Sequence, residues 1–370
     1  MVEVIASGHI CLDLLPGMDT VPLDEMASPG KLFEIGPLDM ATGGSVSNTG
    51  LALHRLGVDV GLMGNVGGDM IGRIIIAMLR ETDPKLAEFI RVKDDTATSY
   101  SVLMSPQNSD RIIFHSTGAN ESFLPADVDI ERVADAKIFH LGYPPLLPSL
   151  VKDDGAPLTA IFRGVKEANV VTSMDTAMPD PGKFPGQVDW RTILTSTLPY
   201  VDIFVPSVEE LMFMLRRESY DAVRGDVLPL LNRSTLESLT DELFTMGCAI
   251  VGLKLSSYGL YLRGAADEQR FAPLAALGVD PSAWREAAVY HPAYEIEVVG
   301  TTGAGDAAYG GVLTGLLHGL SPERVASVAN AVGALNVSRP DATSGLLSWE
   351  ETLARIDAGW PTLPNTIPGF

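Results

Sequence analysis

Short apolar segments recur along the chain, separated by stretches with helical periodicity. Runs that are apolar throughout are typical of parallel strands covered by helices on both faces of a sheet. Repeated units of this kind predict an α/β protein with a doubly wound, mostly parallel sheet and helices on both faces. The predicted strands are 2–7, 58–64, 137–142, 169–175, 201–207, 248–255 and 294–299. The predicted helices include 45–56, 68–80, 158–168, 207–217 and 233–246.

Two segments depart from this pattern. Residues 97–104 and 111–116 alternate polar and apolar positions around the turn sequence SPQNSD, which predicts a β-hairpin. Residues 10–40 are extended and show little helical periodicity. We expect about 10–40 and 97–117 to form a small β lid, inserted into a single α/β domain that spans 1–370.

The charge balance bears on possible partners. Lysine and arginine together number 26, aspartate and glutamate 47, so the net charge is −21. Such an acidic chain is unfavourable for binding nucleic acid, which needs a basic surface. An anionic substrate would have to be held by local hydrogen-bond donors.

Cysteine content and hydropathy indicate a cytoplasmic protein. The two cysteines, Cys11 and Cys248, cannot form a disulfide framework and are expected to be buried thiols in a reducing compartment. The opening sequence MVEVIASG lacks the basic head and long apolar run of a signal peptide. No apolar run is long enough to span a bilayer, so we expect no membrane contact.

A glycine-rich turn runs into a helix at 298–319, VVGTTGAGDAAYGGVLTGLLHG. The free backbone N–H groups from Thr302 to Asp306 would converge at the helix start, where the helix dipole also favours an anion. The turn is not a Walker loop, because the chain contains no GK[ST] sequence. A dinucleotide fingerprint is formally matched from Gly303 to Ala308, but this match lies in the last fifth of the chain, and no strand-end acid follows about 20 residues later.

An acid closes this turn, where an anion would bind. Transfer of a phosphoryl group to an alcohol needs a base for the hydroxyl proton and donors for the charge on the moving group. One helix start can supply both, with N–H groups for the phosphoryl oxygens and Asp306 for the hydroxyl. Alternatively, Asp306 only caps its helix, since aspartate is favoured at helix N-termini. The turn by itself does not decide between these roles.

Three further motifs favour the chemical role. GHICLD puts Asp13 at the end of the first strand, TGGSVSNTG places Asn48 on the first turns of a helix, and GNVGGD has the same form with Asp69. Read with TTGAGD, these motifs resemble the two signatures of the ribokinase (pfkB) family of carbohydrate kinases. The resemblance runs in order from Gly8 to about residue 340.

The resemblance implies a ribokinase-like fold and a role for each matching residue. Asp306 would be the catalytic base. The anion hole for the phosphoryl group would consist of Gly303, Ala304 and Gly305. The residues that hold the acceptor's hydroxyl groups would be Asp13, Gly43, Gly44 and Asn48. The residues along ATP would be Lys254, Ser256, Gly259, Thr302 and, near the adenine, Asn330. Glu210 would act on Mg²⁺ through water, although Glu209 fits as well by spacing alone.

The chain departs from the family pattern at three positions. The family usually has aspartate at the position of Gly300, where in many members it helps to build a monovalent-cation site beside the anion hole. Its loss argues against activation by potassium. Asp341 is the nearest later acid that could replace it, and its alternative role is that of a turn residue. Ser207 and Ala177 stand where the family has asparagine.

These features predict an ATP-dependent kinase that phosphorylates a hydroxymethyl group of a small sugar or related polyol, with Mg²⁺ as cofactor. Two alternatives stay open: a nucleoside kinase of the same family, and a catalytically weak member that binds sugar. The half-exposed pattern of the lid allows a homodimer formed through it. The long link at 264–290 either covers ATP or decorates the surface.

Overall fold

The structure is a computed structural model that describes residues 2–18, 20–26, 29–107, 112–339, 341–364 and 366–370. The strands are β1 (Val4–Gly8), β2 (Cys11–Pro16), β3 (Leu38–Gly43), β4 (Val60–Gly67), β5 (Ile90–Lys93), β6 (Tyr100–Met104), β7 (Ile112–Ser116), β8 (Ile138–Gly142), β9 (Val171–Met174), β10 (Ile203–Phe204), β11 (Ile250–Lys254), β12 (Leu260–Gly264) and β13 (Ala288–His291).

The helices are α1 (Gly44–Arg55), α2 (Met70–Thr82), α3 (Ile130–Val133), α4 (Ala156–Glu167), α5 (Trp190–Thr197), α6 (Val208–Leu215), α7 (Arg217–Ala222), α8 (Arg233–Met246), α9 (Pro281–Trp284), α10 (Ala304–Leu317), α11 (Pro322–Asn336) and α12 (Trp349–Asp357). Within the described ranges, no helix is both long enough and apolar enough to cross a membrane.

Nine strands of the described chain form one sheet in the order β13-β12-β11-β10-β9-β8-β1-β4-β5. The strands from β11 to β5 are parallel, whereas β12 and β13 are antiparallel at one edge. Alternate residues of β1 enter separate cores, with Val4 and Ala6 in one cluster and Ile5 in the other. Apolar side chains thus cover both faces, so the predicted doubly wound, mostly parallel sheet is confirmed.

One predicted strand is wrong. Within 294–299, only Tyr294 pairs, in an isolated bridge with Thr362, and β13 forms the edge of the sheet instead. Val298 and Val299 are 61% and 56% exposed. A short run of β-branched residues before a glycine turn has the same local pattern as a buried strand, and burial is what separates the two.

A second, small sheet has four strands among the described residues, in the order β3-β2-β6-β7. β6 and β7 form the hairpin that the alternation predicts, although its turn, SPQNSD, lies partly outside the described residues. The register aligns Asp13 with Ser101, and Ser101 with His115, so these three side chains share one face. Because β2 begins shortly after β1 ends, the small sheet rises from the carboxyl edge of the main sheet.

The link between β12 and β13 packs at the amino edge of the main sheet, opposite the carboxyl edge. β12 runs antiparallel to β11, so Gly264 pairs with Ile250 at the start of β11. Phe271 and Trp284 from this link are fully buried, and Trp284 Nε1 donates to Leu320 O at 3.3 Å. The link therefore extends the core at the amino edge of the sheet, away from a ligand bound at the carboxyl edge.

Candidate active site

Asp306 lies in the first turn of α10, and only 1% of its surface is exposed. The helix begins after Gly303, whose φ of 73° is in the left-handed region that favours glycine. Ala304 N donates to Thr301 O at 3.4 Å. Because Gly303 has no side chain to act as a cap, the next N–H groups of α10 are available to a ligand.

Side chains from distant parts of the chain hold Asp306. Oδ2 accepts hydrogen bonds from Tyr143 Oη at 2.6 Å and from Asn48 Nδ2 at 3.0 Å, and Oδ1 accepts one from Thr49 Oγ1 at 3.4 Å. Burial raises the pKa of Asp306, and Lys254 together with these donors opposes the rise. The donors belong to α1 and to the loop after β8, so Asp306 does more than cap its own helix. Tyr143 and Thr49 were not predicted.

Lys254, the last residue of β11, reaches the same helix start. Its Nζ donates to both carboxylate oxygens of Asp175, at 2.8 and 2.7 Å. A methyl group added at Gly305 would lie 3.3 Å from this nitrogen. Burial disfavours the ammonium form, but the carboxylates of Asp175, Glu210 and Asp306 hold the pKa of Lys254 above its usual value. An ammonium group beside free helix N–H groups suits a phosphoryl group.

Asp175 is a site residue that sequence reasoning missed. Sequence reasoning considered only the departure from the family pattern at Ala177, yet Asp175, two residues earlier, directly follows β9 and is fully buried. Burial raises the pKa of Asp175, and the Lys254 ammonium opposes that rise. An acid directly after a buried parallel strand was the available signal, since the carboxyl ends of such strands form ligand sites.

Glu210 lies in the first turn of α6. Its Oε2 accepts from Thr176 Oγ1 at 2.6 Å and from Ser207 N at 3.1 Å, and its own N–H donates to Ser207 Oγ at 3.3 Å. This capping box fixes the side chain, and burial raises the pKa of Glu210. Glu209 borders the same cavity, and burial raises its pKa as well.

A single carboxylate is sufficient for the cofactor that the resemblance implies. Among the described residues, no group of three or more His, Cys, Asp or Glu side chains is arranged to hold a metal ion. Mg²⁺ commonly keeps several water molecules and binds one or two carboxylates together with substrate phosphates. One fixed acid such as Glu210, beside a phosphate site, fits that requirement.

A cavity of about 530 Å³ joins these groups and is within the usual size range of small-molecule sites. The predicted residues that line it are Gly303, Ala304, Gly305, Asp306, Lys254, Ser256, Gly259, Asn330 and Glu210. At the glycine turn, Thr301 rather than Thr302 borders the cavity. The Asn330 amide donates to His291 O at 2.7 Å, so part of its hydrogen-bonding capacity is used within the protein.

The four predicted acceptor residues meet at the start of α1. Asp13 was predicted at the end of the first strand, but β1 ends at Gly8 and Asp13 lies within β2 of the small sheet. Side chains could not be added to the two glycines: a methyl group at Gly43 would collide with the Asp13 carboxylate, and one at Gly44 with His9. Asn48, one turn further along α1, contacts Asp306 through its amide nitrogen. The acceptor residues thus lie next to the predicted base.

A chain of polar contacts that the sequence did not reveal leads to Asp13. His9 Nε2 lies 3.3 Å from His115 Nε2, His115 Nδ1 lies 3.1 Å from Ser101 Oγ, and Ser101 Oγ lies 3.8 Å from Cys11 Sγ, which donates to Asp13 Oδ1 at 3.4 Å. Burial lowers the pKa of His9 to about 3 and also lowers the pKa of His115, so burial favours the neutral form of both rings. This series of polar contacts connects the main sheet to the small sheet.

Two positions bear on a monovalent cation, Gly300 and Asp341. In the described contacts, each forms hydrogen bonds with its own partners and not with the other. Gly300 N donates to Val337 O at 3.2 Å. Asp341 Oδ1 accepts from Thr343 N at 2.9 Å and from Ser344 N at 2.7 Å. The Asp341 carboxylate therefore closes its own turn, which is the alternative role considered for it.

This geometry places a buried carboxylate, Asp306, beside donors for a charged group, at the carboxyl edge of a doubly wound sheet. Both are what transfer of a phosphoryl group to an alcohol requires. The fold and the site therefore define a class, the α/β phosphotransferases that act on alcohol groups. Comparison with known proteins gives the family. The family model for pfkB family carbohydrate kinases matches residues 10–349, and the chain belongs to that family.

The chain is similar over almost its full length to several sugar kinases. It is 28% identical over 345 residues to the ATP-dependent ribose-1-phosphate kinase of Halopiger xanaduensis, covering 93% of this chain and 95% of that protein. It is 25% identical over 332 residues to the 2-dehydro-3-deoxygluconokinase of Bacillus subtilis, covering 89% and 90%. The structure of Arabidopsis thaliana ribokinase, complexed with ribose and ATP, has the same fold, with a TM-score of 0.71, 20% identity and coverage of 96% and 98%. The resemblance inferred from the motifs is confirmed.

Proposed function

We propose that the protein is a cytoplasmic, ATP-dependent kinase that transfers the γ-phosphoryl group to a hydroxymethyl group of a small sugar or related polyol. The observation that carries this proposal is the buried Asp306 carboxylate at the start of α10, with the Lys254 ammonium beside the same helix start. It gives one cavity both a proton acceptor and a phosphoryl-binding surface.

In this mechanism the acceptor lies at the start of α1. The Asp13 carboxylate accepts hydrogen bonds from its hydroxyl groups, and the absence of side chains at Gly43 and Gly44 leaves room for this carboxylate and for His9. The Asn48 amide holds Asp306 from the same side. The reacting hydroxyl is thereby directed at the base, and this orientation supplies part of the rate enhancement.

The transfer step conserves atoms and charge. The acceptor oxygen forms a bond to the γ-phosphorus while the bond from that phosphorus to the β–γ bridging oxygen breaks, and ADP leaves with the electron pair. The hydroxyl proton moves to Asp306. The N–H groups at the start of α10 and the Lys254 ammonium stabilise the charge on the phosphoryl oxygens.

Mg²⁺ would be held by the phosphates of ATP and, through water, by Glu210. When bound, it neutralises charge on the β- and γ-phosphates. The hydroxyl of Thr176 and the backbone N–H of Ser207 hold Glu210 in place for this role. The adenine would lie toward Asn330, whose amide is fixed by His291.

The acceptor is best identified by measuring ADP release against a panel of compounds. The named substrates of the relatives differ in charge, since ribose is neutral whereas ribose 1-phosphate and 2-dehydro-3-deoxygluconate are anionic, so each class belongs in the panel with hexoses and nucleosides. A sugar phosphorylated in equal amount to the ADP released supports the proposal. A nucleoside with higher kcat/KM supports the first alternative, and saturable sugar binding without turnover supports the second. Failure to bind ATP would refute both kinase proposals.

We also propose that the small sheet closes over the acceptor as a lid and pairs with a second copy of the chain. Met40 and Phe114 lie in one row on the face opposite Asp13 and are 46% and 55% exposed. Exposed apolar sheet surface tends to be covered. We expect light scattering to find a dimer that Phe114→Glu dissociates, whereas Met70→Glu, at a more exposed position on α2, leaves it intact. A monomeric native protein whose hairpin is solvated on both faces with acceptor bound would contradict this proposal.

Turnover should depend little on potassium. A monovalent cation beside the anion hole needs several oxygen ligands, and Gly300 supplies only a backbone carbonyl, while the Asp341 carboxylate is engaged in its own turn. Replacing potassium with a bulky organic cation at constant ionic strength should change kcat by less than about threefold, under about 1 kcal/mol. A change of tenfold or more would reveal a functional cation site, and Gly300→Asp should then tighten ion binding.

A further inference from the structure

Tyr143, which directly follows β8, has an unusual backbone conformation. Its φ of 65° and ψ of 47° are left-handed, an uncommon region for a residue with a large side chain. Tyr143 also precedes Pro144, although a residue before proline normally prefers an extended backbone. Its N–H donates to Asp175 O at 3.3 Å, which ties the strained residue to the end of the neighbouring strand β9. Such strain persists where the surrounding structure enforces it, often at functional sites.

The strained backbone directs the phenol to the base. Tyr143 Oη donates to Asp306 Oδ2 at 2.6 Å, in the range of a strong hydrogen bond to a charged acceptor. The ring borders the same cavity as Lys254 and the start of α10. Its centroid lies 6.1 Å from that of His9, a residue on the acceptor side. Tyr143 therefore lies between the phosphoryl side of the site, at Lys254 and the start of α10, and the acceptor side, at His9.

The donors are divided unequally between the two oxygens of Asp306. Oδ2 accepts both Tyr143 Oη and Asn48 Nδ2, at 2.6 and 3.0 Å, which uses the two lone pairs of that oxygen. Oδ1 accepts only the longer bond from Thr49 Oγ1, at 3.4 Å, among the described contacts. Oδ1 can therefore accept a further hydrogen bond.

The electrostatic surroundings make an additional donor useful. Asp306 is buried near two other acids, Asp175 and Glu210, and Lys254 is the cation that faces all three. Burial raises the pKa of Asp306, and the Tyr143 hydrogen bond lowers it. Burial and the neighbouring carboxylates raise the pKa of Tyr143 well above its usual value, so the phenol keeps its proton and remains a donor.

We propose that Tyr143 is a positioning residue for the base: with the Asn48 amide it fixes Oδ2, so that Oδ1 receives the proton of the acceptor hydroxyl. This inference rests on the proposed role of Asp306 in phosphoryl transfer. It adds a residue from the β8 loop to the catalytic arrangement, and it assigns separate tasks to the two carboxylate oxygens. Tyr143 acts through Asp306 and does not itself exchange the proton.

The test compares the native protein with Tyr143→Phe, which keeps the ring and removes only the donor. Losing a donor to the carboxylate disfavours the charged form, so the Asp306 carboxyl should titrate at higher pH in the variant. We would follow the titration by NMR of ¹³C-labelled aspartate side chains, assigning the signal by its loss in Asp306→Asn. We expect the acidic limb of the pH profile of kcat/KM to move to higher pH, and kcat at pH 7 to fall roughly tenfold.

Tyr309→Phe is the matched control. Tyr309 lies on the same helix as Asp306, and its buried hydroxyl bonds to Ser173 and to Met174 O rather than to the base. Removing it should lower the thermal midpoint and leave the Asp306 titration and the acidic limb unchanged. A general loss of packing would affect both variants alike, whereas a positioning role moves the titration only in Tyr143→Phe.

Two results would overturn the inference. One is an Asp306 titration unchanged by Tyr143→Phe. The other is a Tyr143→Phe variant with an unchanged acidic limb of the pH profile of kcat/KM and with faster ADP release in the absence of acceptor. The role of the phenol would then be to exclude water from the site. The NMR titration needs no turnover, so it decides the role of Tyr143 even if the acceptor screen fails and the proposed function falls.

Discussion

Asp306→Asn is expected to lower kcat by about 10² to 10⁴, the usual contribution of a general base. Asparagine keeps the size of the side chain, and its carbonyl can still accept the hydrogen bond from Tyr143 or Asn48. Its amide cannot take a proton from the acceptor hydroxyl. The substitution should lower kcat and leave the affinity for ATP unchanged, because the contacts along ATP involve other residues.

Two measurements accompany the kinetic assay for this variant. The thermal midpoint and the affinity for ATP, by calorimetry, should stay close to native values. Asp280→Asn is a suitable control, since Asp280 caps α9 at the far edge of the sheet and asparagine also caps well. Near-native turnover in Asp306→Asn would show that this carboxylate is not the base, and a large drop in ATP affinity would show that its role is structural.

Asp13→Ala should raise KM for the acceptor by roughly tenfold to a hundredfold, because the hydroxyl groups of the acceptor lose a charged hydrogen-bond partner. ATP affinity should change little, since Asp13 lies on the acceptor side beside Gly43. The measurement is a pair of titrations, one with acceptor and one with ATP.

Asp69→Ala controls for a structural effect. Asp69 follows β4 of the main sheet, whereas Asp13 lies within β2 of the small sheet. Asp69 caps α2 by accepting from Gly72 N, and it accepts from Thr98. Its removal should cost about 1 kcal/mol of stability without a change in KM. An equal loss of both affinities in Asp13→Ala, together with a lower thermal midpoint, would assign Asp13 a structural role instead.

The departures from the family pattern bear on the alternative of a catalytically weak protein. Ser207 replaces the family's asparagine, yet it caps α6 and donates its N–H to Glu210. Thr176 supplies a further donor to the same carboxylate from the loop that also contains Ala177. Glu210 is therefore held in place despite both substitutions, which favours an active kinase over one that only binds sugar.

The sequence alone determined the features that depend on near neighbours along the chain. Apolar runs and helical periodicity predicted the parallel sheet and the helices α1, α2, α4, α6 and α8, because burial on one or two faces imposes a period on consecutive residues. The glycine turn before Asp306 predicted an anion site, because free N–H groups at a helix start follow from local geometry. The same reasoning failed for 294–299, whose local pattern does not reveal its exposure.

The tertiary structure decided which side chains surround the predicted ones. Tyr143 donates to Asp306 across 163 positions, Lys254 pairs with Asp175 across 79, and His9 meets His115 across 106. These contacts depend on the order in which strands enter the sheet, and local periodicity carries no information about that order. The sequence therefore proposed Asp306 as the base, whereas the side chains that hold this carboxylate became visible only when β8, β9 and β11 met at one edge of the sheet.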